Sequence, residues 1–160
     1  MISLRNVHKS FGTQKVLDGL NLEIPAGEIT AIIGPSGEGK SVLLKHLIGL
    51  LQPDSGQVEV DGESIVGLRR SQLNRIREKF GMLFQNVALF DSMSVFENVA
   101  FPLQEKTALP AVEIRRRVLS ALEDVGLKNN ENKYPDELSG GMKKRVGLAR
   151  AVVLNPGIIL

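Results

Sequence analysis

Gly34-Pro35-Ser36-Gly37-Glu38-Gly39-Lys40-Ser41 is the stretch on which the reading turns. It has the form G-x-x-x-x-G-K-S and lies between an apolar run, Glu28 to Ile33, that predicts a buried strand and a run from Lys40 to Leu51 that predicts a helix. Glycines let the backbone curl until consecutive N–H groups converge on phosphate oxygens, and the following helix adds its unpaired N–H groups and positive dipole end. Lys40 supplies a point charge for the β and γ phosphates. Ser41 offers a hydroxyl to magnesium, which takes hard oxygen ligands and keeps several waters. A plain strand-to-helix turn needs a glycine or two, but neither the lysine nor the serine. Gly34, Pro35, Ser36, Gly37, Gly39, Lys40 and Ser41 are therefore the candidate nucleotide-binding residues, with Ser41 also a candidate metal ligand. Glu38 is the odd member: a carboxylate near a triphosphate repels it unless the side chain points away, so Glu38 is expected to face solvent.

Outward from the loop, Ile2 to Val7 and Val16 to Ile24 alternate apolar and polar residues around the turn Phe11-Gly12-Thr13, and Pro25-Ala26-Gly27 turns into the apolar run. Pro53-Asp54-Ser55-Gly56 leads into a short strand, Gln57 to Val60, and Phe80 to Phe84 is another that ends at Gln85. From about Ser94 the pattern becomes helical. Between Pro110, suited to a first helical turn, and Gly126, suited to the residue after a helix end, Ile114, Val118, Ala121, Leu122 and Val125 share one face. Arg115 to Arg117 and Glu123 then face mostly solvent. After a polar loop, Asn129 to Lys133, and a break at Tyr134-Pro135, Ser139 starts a helix expected to reach about Leu154. The fold class is α/β, one domain with a mixed lobe and a helical lobe.

Composition narrows the partners. The 160 residues, 42% hydrophobic, suffice for one compact domain, and 20 Lys+Arg against 18 Asp+Glu leave a net charge of +2, which does not indicate a nucleic-acid partner. With no cysteine there is no disulfide framework and no thiolate metal site. The opening residues lack a basic region followed by an apolar one, so a secretory signal is not expected. The longest apolar stretch, Val42 to Leu51, is broken by Lys45 and His46 and falls short of the ~20 residues of a spanning helix. Any membrane role must come through a partner. His8 and His46 follow no catalytic motif, and the basic runs Arg69-Arg70 and Lys143 to Arg145 read as solvated helix faces.

A phosphate loop names a ligand and not a task. Leu138-Ser139-Gly140-Gly141-Met142, followed by Lys143-Lys144-Arg145 and a helix, resembles the ABC signature sequence, and Gln85 after an apolar strand resembles the Q-loop. With the phosphate loop these motifs stand in family order, and the chain is similar to an ABC transporter ATPase from its first strand to its last residue. The resemblance implies a P-loop NTPase fold of ABC ATPase type. Residues 1 to about 85 would form an antiparallel β subdomain and an incomplete RecA-like core, 86–150 a helical subdomain, and 151–160 the start of the Walker B strand. It implies ATP and Mg2+ as cofactors, Phe11 as the aromatic residue on adenine, Gln85 as the residue that positions water and magnesium, and Ser139 with the Gly140 and Gly141 amides as the cap on the γ-phosphate held by a second copy. Taken singly, Phe11 reads equally well as a core aromatic, Gln85 as a surface amide and Ser139-Gly140-Gly141 as a helix cap. Met142 stands where the family has glutamine; the phosphate donors precede it, so altered packing is expected rather than lost binding.

The apolar stretch Met82 to Leu103 falls where ABC ATPases receive a short helix of the membrane subunit, and Val87, Leu89, Phe90 and Met93 are the expected groove residues. Its wording, with Met142, resembles the ATPase of Mla-type phospholipid-trafficking systems. That implies a homodimer bound to a permease on the inner face of the cytoplasmic membrane, with a mammalian-cell-entry domain protein as a further partner. Amino-acid importer ATPases are similar over most of these motifs. A soluble ABC protein of translation or repair, or a module that binds without turnover, belongs to a different class. The chain stops at Gly157-Ile158-Ile159-Leu160, where the family begins the strand carrying the magnesium-site aspartate and the catalytic glutamate. The expectation is a span inactive in hydrolysis by itself, with Glu28 to Ile33 unpaired and its apolar side chains bare.

Overall fold

A computed structural model of the chain describes residues 1–85 and 87–160, and it divides into two compact units, Met1–Glu78 and Lys79–Leu160. In the first unit β1 (Ile2–Phe11) and β2 (Gln14–Ile24) make the expected hairpin, Ile2 opposite Ile24 and Phe11 opposite Gln14. β3 (Ser55–Val60) pairs antiparallel with the other edge of β1, and β4 (Glu63–Ser64) completes the order β2-β1-β3-β4. Strand alternation turns Ile2, Leu4, Val58 and Val60 to the buried face. α1 (Lys40–Leu47) packs on β3 with Leu43 and Leu47 inward, and α2 (Arg70–Arg77) buries Leu73 and Ile76. Arg77 fastens the two helices, its guanidinium donating to the carbonyls of Ile48 and Gly49 at 3.0 Å each.

Both histidines serve this unit's architecture. His46 is buried and its Nδ1–H donates to Val42 O at 2.7 Å, while His8 Nδ1 accepts from the Gly19 amide at 3.2 Å across the hairpin.

Three elements differ from the sequence reading. Glu28 to Ile33, whose apolar run alone predicts a buried strand but which the family resemblance leaves unpaired and bare in this span, has no strand structure: among the described residues no strand of either sheet pairs with it, Ile29 is fully exposed and Ile33 is 91% exposed. A central strand exists by its pairing, and apolar side chains alone cannot substitute for the missing ladder. The helix from Lys40 ends at Leu47 rather than Leu51, because Gly49 turns left-handed and the Leu50 amide bonds back to Lys45 O at 2.8 Å. The strand expected from Phe80 to Phe84 is regular only over Phe80–Gly81.

In the second unit, β5 (Phe80–Gly81) pairs in parallel with β6 (Ile158–Ile159). Three helices, α3 (Val95–Lys106), α4 (Ala111–Asp124) and α5 (Gly140–Val152), pack pairwise around Val99, Leu103, Val118, Leu122 and Val146. α3 opens with a capping box: Glu97 N–H donates to Ser94 Oγ at 3.2 Å and Ser94 N–H to Glu97 Oε2 at 2.7 Å. The second of these bonds, with the Ser94 hydroxyl, holds the Glu97 carboxyl below its ordinary range. α4 ends where expected, the Gly126 amide closing on Glu123 O at 2.9 Å.

Candidate functional site

Between β2 and α1 the chain turns through two left-handed glycines, Gly37 (φ 88°) and Gly39 (φ 87°), a conformation that a side chain would strain. Gly39 has a second constraint, since a Cβ there would stand 2.8 Å from Val16 Cγ1; the end of the loop rests directly on β2. The Lys40 side chain then folds back into the loop. Its Nζ donates to Gly34 O at 2.6 Å and also to Pro35 O, so the backbone of Gly34 and Pro35 bends around a positive charge.

The mouth of this loop is open: a Cβ on Gly37 would meet nothing within 4 Å, and Pro35, Ser36 and Ser41 are exposed. The first amides of α1 have no acceptor within the helix and carry its positive end. Amide donors, helix dipole and ammonium together fit a polyphosphate. Among the described residues no group of three His, Cys, Asp or Glu could hold a metal, so magnesium here would rely on Ser41, on water and on oxygens of the nucleotide. Glu38, expected to face solvent, is exposed, and its Oε2 lies 3.3 Å from where a Cβ on Gly34 would be.

Phe11 belongs to the same unit, at the tip of the β1–β2 hairpin. It is 48% exposed, with Lys9 Nζ 5.7 Å from the ring centroid, which removes the reading of a core aromatic. Gln85, Ser139, Gly140 and Gly141 belong to the second unit, and all four are exposed. Ser139 caps α5, its Oγ accepting from the Met142 amide at 3.3 Å, and a Cβ on Gly140 or Gly141 would meet nothing within 4 Å. Met142 packs partly against the helical core, away from the amides before it. Nearby, Asp91, Tyr134, Asp136, Glu137 and Lys143 line an open cleft of about 590 Å³.

A sequence profile described as "ABC transporter" matches residues 17–160. The chain belongs to the ABC transporter family. It is 50% identical over 159 residues to the "Probable ribonucleotide transport ATP-binding protein mkl" of Mycobacterium leprae, a match covering 99% of this chain and 46% of that protein. It is 45% identical over 160 residues to the "Intermembrane phospholipid transport system ATP-binding protein MlaF" of Escherichia coli K12, covering 100% of this chain and 60% of MlaF. The chain thus spans about half the length of the curated relatives it matches. Among solved structures, the ATP-binding cassette MJ0796, a dimer in a post-hydrolysis state bound to ADP and Pi, aligns with a TM-score of 0.88 at 37% identity, covering 99% of this chain and 72% of that one. cbiO1 of Clostridium perfringens, part of the cbiONQ transporter complex, aligns with a TM-score of 0.90 at 34% identity, covering 99% and 63%. The α/β fold is that of an ABC ATPase cassette.

The segment between Gln85 and α3 is held by two residues that the sequence reading did not single out, Asn98 on α3 and Arg150 on α5. Val87 (φ 58°) and Ala88 (φ 48°) are left-handed although neither is glycine. Asn98, fully buried on α3, accepts the Phe90 amide at 2.9 Å, and its Nδ2 faces the carbonyls of Phe90, Met93 and Ser94 at 3.0 to 3.1 Å. Arg150, on the signature helix α5, donates to Val87 O at 2.6 Å and Ala88 O at 3.0 Å and lies 5.8 Å from the Phe90 ring centroid. Burial pushes this guanidinium below its usual pKa. Of the expected groove residues, Val87 is instead buried against Gly147, where a Cβ would collide with it; Leu89 and Met93 are half-buried, and Phe90 is exposed. The available signals were an asparagine within the apolar face of α3, beside Val95 and Val99, and the S-x-x-E box before it. Arg150 gives none.

Proposed function

We propose that this chain is the ATP-binding part of a transporter subunit, and that the whole protein powers movement of a phospholipid or other hydrophobic substrate through a membrane permease. The observation that carries this reading is the Lys40 ammonium, held inside a glycine loop at the open N-terminus of α1. Gly34, Pro35, Ser36, Gly37, Gly39 and Lys40 would hold the phosphates, Phe11 would stack on the base, and Ser41 with Gln85 would meet the magnesium and orient water. The metal, when bound, would neutralise phosphate charge, while the loop's amides and lysine hold the phosphates. The bare N-terminus of α5 suits Ser139, Gly140 and Gly141 to nucleotide held by a second copy, and the dimeric state of MJ0796 supports that arrangement.

The subdomain reading, residues 1 to about 85, 86–150 and 151–160, belongs to the same proposal. So does a peripheral place on the inner face of the membrane: among the described residues no helix is long and apolar enough to cross one. A mammalian-cell-entry domain protein as further partner rests on the sequence resemblance alone. The name of MlaF supports a phospholipid cargo, whereas the name of mkl favours a ribonucleotide. Uptake of each by the assembled system decides between them.

Calorimetric titration with ATP is the direct test. Lys40→Ala is expected to weaken binding at least about tenfold, because a charge-assisted contact is lost. Unchanged affinity would remove the phosphate-loop reading. Phosphate release is expected from the full-length protein and not from residues 1–160 alone; turnover by that span, abolished by Lys40→Ala, would reveal a catalytic carboxylate within it.

A further inference from the structure

We infer that Glu38 makes the loop discriminate against metal-free nucleotide in favour of the magnesium complex. The inference rests on the phosphate-loop reading and adds a residue with its own observation. Glu38 sits between the two left-handed glycines, and its Oε2 lies 3.3 Å from where a Cβ on Gly34 would stand, a close approach to the start of the loop. Among the described residues it has no hydrogen-bond or ion-pair partner. The cation nearest in sequence, Lys40, makes no ion pair with it; its ammonium bonds the carbonyls of Gly34 and Pro35. A negative charge with no ion-pair contact among the described residues therefore lies on the loop whose amides, dipole and lysine are arranged for an anion.

Repulsion from one fixed charge scales with the charge of the ligand. At distances on the order of 8 Å and effective dielectrics of about 40 to 80, each ligand charge alters affinity roughly two- to sixfold. Metal-free ATP carries about two more negative charges than its magnesium complex, so Glu38 opposes it several-fold more strongly. The lysine and amides attract both forms. Glu38 subtracts from that attraction in proportion to charge, and the loop keeps its grip on the complexed form while loosening it on the bare one. AMP, with the fewest charges, should be least affected. Because the carboxylate is exposed, the effect is screened within a Debye length of about 8 Å at physiological salt.

The test is the dissociation constant of ATP in excess magnesium and in excess chelator, for the full-length protein and for Glu38→Gln, which keeps the shape and removes the charge. Glu38→Gln should bind metal-free ATP at least about fourfold more tightly and bring the two constants closer together. The gain should shrink in high salt and from ATP to ADP to AMP. Equal ratios in the two proteins would overturn the inference and leave Glu38 a solvated side chain. Weaker binding of the magnesium complex by Glu38→Gln would also overturn it, by showing that the carboxylate assists the metal. Lys40→Ala runs alongside: loss of binding there with no effect of Glu38→Gln defeats this inference alone, whereas full binding by Lys40→Ala defeats the phosphate-loop reading beneath it.

Discussion

Gly37 and Gly39 take φ values of 88° and 87° in the phosphate loop, and Val87 and Ala88 take 58° and 48° beyond Gln85. The first pair has no Cβ to strain. The second pair has two, one of them β-branched, and persists because Asn98 and Arg150 hold the surrounding carbonyls and amides. Glycine thus leaves a loop's backbone donors free for a ligand, whereas Asn98 on α3 and Arg150 on α5 engage the carbonyls of Val87, Ala88, Phe90, Met93 and Ser94 and the Phe90 amide. One loop is built to receive and the other to stay put.

Removing the support of the second loop should have the largest effect. Asn98→Ala leaves the Phe90 amide and the Met93 carbonyl without their partners in a part-buried place, the carbonyls of Phe90 and Ser94 keeping backbone donors, and is expected to destabilise the protein by about 3 kcal/mol in denaturant titration. A loss below ~1 kcal/mol would mean that the segment needs no support. Arg150→Met keeps the length and removes the donors, for an expected loss of about 2 kcal/mol. Val87→Gly sharpens the comparison, because without a Cβ less strain has to be held. In a double-mutant cycle it should recover part of the Arg150→Met loss, while strictly additive values would place the role of Arg150 elsewhere.

The first loop should respond in the opposite way. Gly37→Ala meets no neighbour, so its penalty is the left-handed dihedral alone, about 1 kcal/mol, and the larger change should be in ATP affinity. The smallest effect is far from both loops. Bonds from Arg116, then Arg117, lower the Glu113 pKa from 4.5 to about 2. A depressed folded pKa stabilises above the unfolded value and the benefit is lost as pH falls from about 4.5 toward 2. Glu113→Gln should therefore lower the melting temperature slightly at pH 7 and not at all near pH 2.

Much of this was legible beforehand because it is written locally. The β1–β2 hairpin follows from alternation, α4 from the spacing of Ile114, Val118 and Leu122, and the phosphate loop from residues adjacent in sequence. For Glu28 to Ile33 the apolar run alone says what a strand could bury and not which neighbour it pairs with; only the family resemblance, with its flanking strands outside this span, predicts the bare side chains that are found. Arg150 lies 62 residues from Ala88 along the chain, so only the packed helices reveal the contact. Glu38 was read from its charge alone, and the rotamer that turns it toward Gly34 has no local signature.

Phe80 and Ile158 lie side by side in a parallel ladder, extended by Leu83 N–H to Leu160 O at 2.8 Å and Leu160 N–H to Gly81 O at 2.9 Å. Everything between them, the three helices included, is an excursion that leaves and returns at one place. A detour of this kind can be edited without moving its endpoints, much as an insertion is tolerated in a surface loop. Each doubling of a closed loop adds only about 0.6 kcal/mol of closure entropy, so a helix turn gained or lost within the excursion weighs little against two strands that still meet. Evolution can thus restyle the helical block while the ladder that anchors it stays as it is.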